Sequence, residues 1–299
     1  MDLRENEFQG KYRTYLSFEK GLSLSTIDAY QRDLDKMFLF FEKEKISPCK
    51  ATYNDLQQFV AQLFDSGITA RSVARVVSGV KSFYRFLLIN KCIAADPTEL
   101  LEAPRIGMKL PDVLSVNEID AILSTFDLSV QLERRDHTIL ETLYSCGLRV
   151  SELVNLKISD IHFKEKYIKV TGKGSKQRFV PISDRALKEI RNYLKEKKKV
   201  EPDKAYSQHI FLNNRGRALT RVRVFQIIKK HAEKAGITKT ISPHTFRHSF
   251  ATHLLDGGAN LRAIQAMLGH EKITTTEIYT HIDMRRLRRE IIEHHPRNK

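Results

Sequence analysis

Cysteine is scarce in this chain. Three residues in 299, Cys49, Cys92 and Cys146, are scattered, odd in number and without metal-ligand spacing. That pattern argues against a disulfide or zinc framework and for reduced thiols in the cytoplasm. Long hydrophobic runs are missing as well, so no membrane-spanning segment is expected. The opening Met1-Asp2-Leu3-Arg4-Glu5-Asn6-Glu7 lacks the apolar stretch of an export signal. No Gly-x-x-x-x-Gly-Lys loop occurs, which excludes a Walker-type ATPase, and serine proteases and thiol enzymes leave different signatures. Internal repeats and low-complexity tracts are absent. No cofactor and no metal site are expected.

What is present is positive charge, unevenly placed. Lys and Arg number 51 against 36 Asp and Glu, for a formal net charge of +15 and a sequence pI of 9.7. Such an excess favours a polyanionic partner, of which nucleic acid is the commonest. Residues 1–107 are nearly balanced at +1, whereas residues 108–299 carry +14. All eleven histidines lie beyond residue 136. Charge and proton-transfer capacity therefore share the second part of the chain.

At 299 residues two domains are expected. The boundaries read as 1–102, a linker at 103–112 set by Pro104, Gly107 and Pro111, and 113–299. The first part is helical by its apolar spacing. Ser25-Thr26 is the expected cap of a helix through Leu34, Met37 and Phe41, and a second helix covers 53–64. A third spans 70–89 with valines and aromatics on one side. Arg71, Arg75, Lys81 and Arg85 lie on the other, and no acid occurs between Asp65 and Asp96. Solvated helix faces usually mix signs. The stripe reads as phosphate-facing, with plain surface as the other reading.

The second part is mainly α with a small β-sheet. Ser115 and Glu118 suit a capping box, and 166–170 pairs with 178–182 around Gly172-Lys173-Gly174-Ser175 as a hairpin. A charged helix at 188–199 reads as solvated. Arg217, Arg221, Arg223, Lys229 and Lys230 gather on or near another helix, as possible phosphate contacts.

Six residues between positions 149 and 279 suit phosphoryl transfer on DNA without a metal: Arg149, Lys173, His244, Arg247, His270 and Tyr279. That chemistry needs a nucleophile, cations around the non-bridging oxygens and a proton donor for the leaving oxygen. Ser242 and Pro243 suit the N-cap and first position of a helix, placing His244 and Arg247 on one face of its anion-favouring first turns. A capping role for His244, or a metal shared with His248, are its bland readings. Arg149 follows Gly147 at a helix-to-helix corner, where a guanidinium reaches an oxyanion bidentately and Glu152 can fix its orientation. A local Arg–Glu surface pair explains the same residues.

Lys173 tops a glycine-flanked turn as a proton donor or as an ordinary solvated lysine, with Lys176 a local rival. His270 projects from the turn closed by Gly269. Tyr279 is a nucleophile only if cations or a base help it ionise, since a free tyrosine is about 0.1% ionised at pH 7; otherwise it is a packed aromatic.

Together these segments resemble the tyrosine recombinases of the phage integrase family, within them the Xer group, and there the XerD members more than the XerC members. The likeness runs through SLSTIDAYQRDL at 23–34, SCGLRVSEL at 145–153, TGKGSKQRFVPI at 171–182, SPHTFRHSFATHLL at 242–255, LGH at 268–270, TTTEIYTHI at 274–282 and HHPR at 294–297. Glu271-Lys272 is a local departure, since small polar residues are frequent there.

The resemblance implies a helical, SAM-like core-binding domain and a catalytic domain, closing as a C-shaped, two-domain clamp on double-stranded DNA. Tyr279 would attack the scissile phosphate to leave a 3′-phosphotyrosyl link. Arg149 and Arg247 would hold the non-bridging oxygens, with Lys173 protonating the leaving 5′-oxygen. His244 would assist proton transfer, and His270 would hydrogen-bond the phosphoryl group. Two strand exchanges through a Holliday junction would follow, in a tetramer with a related, XerC-like recombinase. The helix at 284–292 would dock on a neighbouring protomer through Leu287, Ile291 and Met284. The implied role is chromosome dimer resolution at cell division, under a septal DNA translocase. A mobile-element integrase with the same chemistry is one alternative, and a non-cleaving DNA-binding regulator on this scaffold is another.

Overall fold

The structure is a computed structural model that describes residues 3–107, 112–172, 177–197, 202–269 and 281–298. The chain separates into two compact units, Met1–Lys109 and Leu110–Lys299. Residues 103–107 carry no regular element, and the rest of the sequence-based linker up to 111 lies outside the described residues.

The N-terminal unit is helical throughout. It contains α1 (Leu3–Thr14), extended by a π-helical turn at Tyr15–Glu19, then α2 (Leu24–Glu44), α3 (Tyr53–Asp65) and α4 (Ala70–Ile89). Helix α2 begins earlier than the expected cap at Ser25-Thr26. The amide of Ile27 already donates to the Ser23 carbonyl at 3.0 Å, so Ser25 and Thr26 belong to the first turn. A true capping box opens α3, where the Thr52 hydroxyl accepts from the Asp55 amide and the Asp55 carboxylate accepts from the Thr52 amide. Leu34, Met37 and Phe41 of α2 meet Val76, Val80 and Phe83 of α4 in one apolar core. Each such buried side chain stabilises the fold by roughly 1.5–3 kcal/mol. Leu88, apolar by periodicity, is 38% exposed. Phe86 is buried in its stead, against the rings of Tyr12 and Tyr15.

The C-terminal unit is mainly α with a small antiparallel sheet. Helices α5 (Val116–Ser124), α6 (Gln131–Cys146) and α7 (Val150–Val154) lead into β1 (Ile161–His162), β2 (Tyr167–Thr171) and β3 (Gln177–Pro181). The strands lie in the order β1-β2-β3, with Thr171 opposite Gln177 at the hairpin end. Strand β1 escaped the sequence reading because two residues carry no periodicity. Helices α8 (Asp184–Lys197), α9 (Arg221–Lys234), α10 (Pro243–Asp256), α11 (Leu261–Leu268) and α12 (His281–His294) complete the unit.

Helix α6 is the axis of this unit: every residue from Arg135 to Cys146 is buried. Its interior charges are paired, Arg135 with Asp136 and Glu141 with Arg185 and Arg297, as buried ions must be. Helix α12 packs on its own unit. Leu287 and Ile291, assigned from sequence to a neighbouring protomer, are buried in this core, with Met284 against it. Beyond α12, Arg297 turns inward to Asp120 and Glu141 and lies over the Tyr144 ring. Among the described residues no helix is long and apolar enough to cross a membrane.

Candidate active site at the end of helix α11

Two arginines 98 positions apart in sequence meet at one short turn. Arg149 is placed by a sharp corner between α6 and α7. Gly147 makes that corner in the left-handed region at φ +56°. A Cβ there would sit 2.4 Å from the Phe250 ring, so only glycine lets α6 end against α10. Arg149 then stands at the N-cap of α7, with Glu152 at the third helical position accepting the Arg149 amide at 2.8 Å. Glu152 also accepts from the Arg149 guanidinium at 3.0 Å. The even choice left by the sequence, between functional arginine and local surface pair, is altered by depth: Glu152 is 3% exposed and Arg149 38%.

Arg247 arrives from α10. Ser242 caps that helix and Pro243 opens it, as read from sequence, and Thr245 completes a capping box with Ser242. Phe246 and Phe250 are fully buried and hold the helix down. Arg247 is buried too, donating to the Gly147 carbonyl at 2.6 Å and to the Leu268 carbonyl. Burial, with the charges of Arg149 and Arg178 beside it, lowers its pKa to about 10, so it stays protonated at neutral pH. His244, one helical turn earlier, is exposed, as is His248. Among the described residues no group of three or more His, Cys, Asp or Glu side chains is arranged to hold a metal ion.

A third arginine was missed. Arg178 of β3 is 6% exposed and grips both oxygens of Glu152, at 2.6 and 2.8 Å. Its Nε donates to the Met267 carbonyl at 2.7 Å. The signal was available: Arg178 shares its strand face with buried Val180, and a charge on an inward face needs a partner. Burial works against the charge of Glu152, but the hydrogen bonds and charge of Arg178 and the Arg149 contacts hold its carboxyl below the usual range.

The carbonyls of Met267, Leu268 and Gly269 thus each accept from a different arginine, Arg178, Arg247 and Arg149 in that order. These are the orphan carbonyls at the negative end of α11, where cations are favoured. Gly269 closes the helix at φ +66°, and a Cβ on it would meet Arg178 Cδ at 2.9 Å. With one glutamate against three arginines, the cluster keeps a positive excess suited to an oxyanion. Lys173, His270 and Tyr279, the other members of the expected set, lie outside the described residues, as does Lys176.

The stripe on α4 is partly committed inside its own unit. Arg71 and Arg85 are exposed. Arg75 instead pairs with Asp33, a fully buried acid that Lys36 also contacts at 3.2 Å. Lys81 reaches the Glu99 carbonyl at 3.5 Å. In the C-terminal unit Arg223 faces Asp136 at 3.6 Å, Lys230 faces Glu133 at 3.2 Å, and Arg217 and Lys229 also have acidic neighbours. Asp136 is buried, but the exposed Arg217–Asp203 and Lys229–Glu233 pairs contribute at most about 1 kcal/mol each, so they compete weakly with a phosphate.

Residues 112–286 match the phage integrase family and residues 10–91 its N-terminal SAM-like domain. The chain is 44% identical to the tyrosine recombinase XerD of Staphylococcus saprophyticus over 288 residues, which covers 96% of this chain and 98% of that one. Among solved structures, the XerA recombinase is 29% identical with a TM-score of 0.50 and coverage of 98% and 99%. The XerH site-specific recombinase bound to its palindromic difH substrate is 23% identical with a TM-score of 0.72, covering 95% of this chain and 84% of that one; this likeness is one of fold. With two arginines converging on the turn that precedes His270, and two matched domains spanning most of the sequence, the chain belongs to the tyrosine recombinases of the phage integrase family.

Proposed function

We propose that the protein cuts and rejoins double-stranded DNA at a specific recombination site, using Tyr279 as nucleophile. The observation that carries this reading is the convergence of Arg149 and Arg247 on adjacent carbonyls of one turn. Two guanidiniums held that way match two non-bridging oxygens of one phosphodiester, and bidentate capacity makes arginine the suitable cation. The phenolic oxygen of Tyr279 attacks phosphorus as its proton leaves with help from His244. The bond from phosphorus to the 5′-oxygen breaks, and Lys173 protonates that oxygen. His270 donates a hydrogen bond to the phosphoryl group. The 3′-phosphotyrosyl ester conserves the bond, so a 5′-hydroxyl can reverse the step with neither ATP nor metal.

Both units contribute to DNA binding in this reading. Residues 1–102 act as the core-binding domain through exposed Arg71 and Arg85, and 113–299 form the catalytic domain. The XerD name of the Staphylococcus relative fits chromosome dimer resolution, and the same reading places the protein in the cytoplasm, in a tetramer with a XerC-like recombinase, under a septal DNA translocase. Docking α12 on a neighbour then requires Leu287 and Ile291 to leave their own core.

A nicked half-site that loses its short 5′-strand on cleavage tests the chemistry. The wild-type chain accumulates as a covalent DNA adduct, and digestion followed by mass spectrometry places the nucleotide on Tyr279. Tyr279→Phe binds the same DNA and forms no adduct. An adduct on another side chain, or none with the wild type despite binding, rules the reading out.

A further inference from the structure

We propose that Arg178 is a positioning residue of the cleavage centre, fixing the Arg149 guanidinium by holding Glu152 and bracing the turn whose Gly269 carbonyl also holds it. This rests on the reading above, in which Arg149 faces a non-bridging oxygen of the scissile phosphate.

Arg149 has two anchors besides any phosphate: its Nη1 donates to Glu152 at 3.0 Å and its Nη2 to the Gly269 carbonyl at 3.0 Å. Arg178 binds the first anchor directly and the turn that carries the second at Met267. Its Nη1 and Nη2 take the two oxygens of Glu152, and its Nε takes the Met267 carbonyl two residues before Gly269. The contacts close a ring that runs from Arg149 through Glu152, Arg178 and the 267–269 backbone to Arg149 again.

A carboxylate offers about four lone-pair directions. Those of Glu152 are filled by two bonds from Arg178, one from the Arg149 side chain and one from the Arg149 amide. No direction is left in which Glu152 can swing. A buried ion pair is a weak source of stability compared with apolar residues of the same volume. What this pair supplies is placement, and placement matters because a shift near 1 Å at a reacting centre costs about 100-fold in rate. Lysine retains the charge of Arg178 but has no planar fork to span both oxygens while also reaching a carbonyl.

Single-turnover cleavage of the nicked half-site tests this, with the scissile phosphate either normal or replaced by each diastereomer of a methylphosphonate. In one diastereomer a methyl group stands where the oxygen facing Arg149 would be, so a correctly aimed guanidinium gains nothing there. Arg178→Lys is expected to slow cleavage of the normal phosphate about 100-fold, with half-site affinity changed by less than about threefold. On the diastereomer that relieves Arg149→Ala, the Arg178→Lys deficit should shrink to about tenfold or less, and on the other it should persist. Glu152→Gln, which keeps the shape and loses the charge, should be relieved by the same diastereomer. It carries the test if Arg178→Lys fails to bind DNA. Equal deficits of these variants on all three substrates overturn the proposal, because a merely structural role is blind to the phosphoryl substituent. If Arg149→Ala is itself relieved by neither diastereomer, the reading of Arg149 has failed and this inference goes with it.

Discussion

The two units solve opposite problems with the same kinds of helix. Residues 1–107 are close to neutral and contain no histidine, and they enclose an apolar core in which, among the described residues, Asp33 is the one buried acid. The C-terminal unit buries charged and titratable groups along α6, around Glu152 and beneath Arg297. Buried polarity is costly unless every group is paired. That cost is concentrated in the unit that holds the arginine cluster, where His137 Nδ1, His295 Nε2 and Arg297 Nη2 are buried without a hydrogen-bond partner among the described residues.

The sharpest way to break that contrast is at Arg247. Arg247→Ala should lower the cleavage rate about 100- to 1,000-fold, the usual cost of one preorganised oxyanion donor. Single-turnover adduct formation measures it. An effect below tenfold would mean that the buried arginine serves packing rather than the phosphate.

Acid should separate the units next. Burial, followed by the charge of Arg297, holds His295 neutral with its pKa lowered to about 3, and burial, with Arg185 and Arg297, lowers His137 to about 4. The unfolded chain therefore takes up these protons first. Stability of the C-terminal unit is at its full value above about pH 6.5 and declines as pH falls from there toward the folded-state values. The slope approaches about 1.4 kcal/mol per pH unit for each histidine. Pulse proteolysis in urea at pH 7.5 and pH 5, with fragments assigned by mass, should show the C-terminal unit losing ground to the N-terminal unit at the lower pH. Parallel behaviour of the two units would refute the assignment.

Within the N-terminal unit, Arg75→Ala should destabilise folding by about 1–3 kcal/mol, because buried Asp33 loses its main partner. Urea denaturation of this variant beside Asp33→Asn, Arg75→Ala would show whether removing the charge restores stability. Arg71→Ala is the gentlest change: thermal stability should hold, while the salt dependence of half-site binding loses roughly one unit of slope. An unchanged slope returns Arg71 to ordinary surface.

Much of this architecture was legible from local chemistry. The box at Ser115–Glu118, the cap at Ser242, the limits of α4 and the hairpin read at 166–170 and 178–182, which pairs as 167–171 with 177–181, follow from capping and periodicity. The pairing of Arg149 with Glu152 was legible as well, because the two are three residues apart on one helical turn. What stayed hidden depends on distance in the chain. Asp33 claims Arg75 across 42 positions and Glu152 claims Arg178 across 26, and neither spacing leaves a periodic trace. That Leu287 and Ile291 are buried within their own chain was also hidden, because an apolar stripe does not reveal which surface it covers.

The row of carbonyls at the end of α11 has a practical corollary. Its acceptors belong to the main chain, whereas the Met267 and Leu268 side chains are buried in the core, so substituting those side chains tests their packing and not the carbonyls that hold the arginines. Only backbone chemistry exposes its role. Replacing an amide by an ester in a semisynthetic chain weakens the carbonyl as an acceptor without altering any side chain, and that route would measure what each carbonyl contributes to holding its arginine.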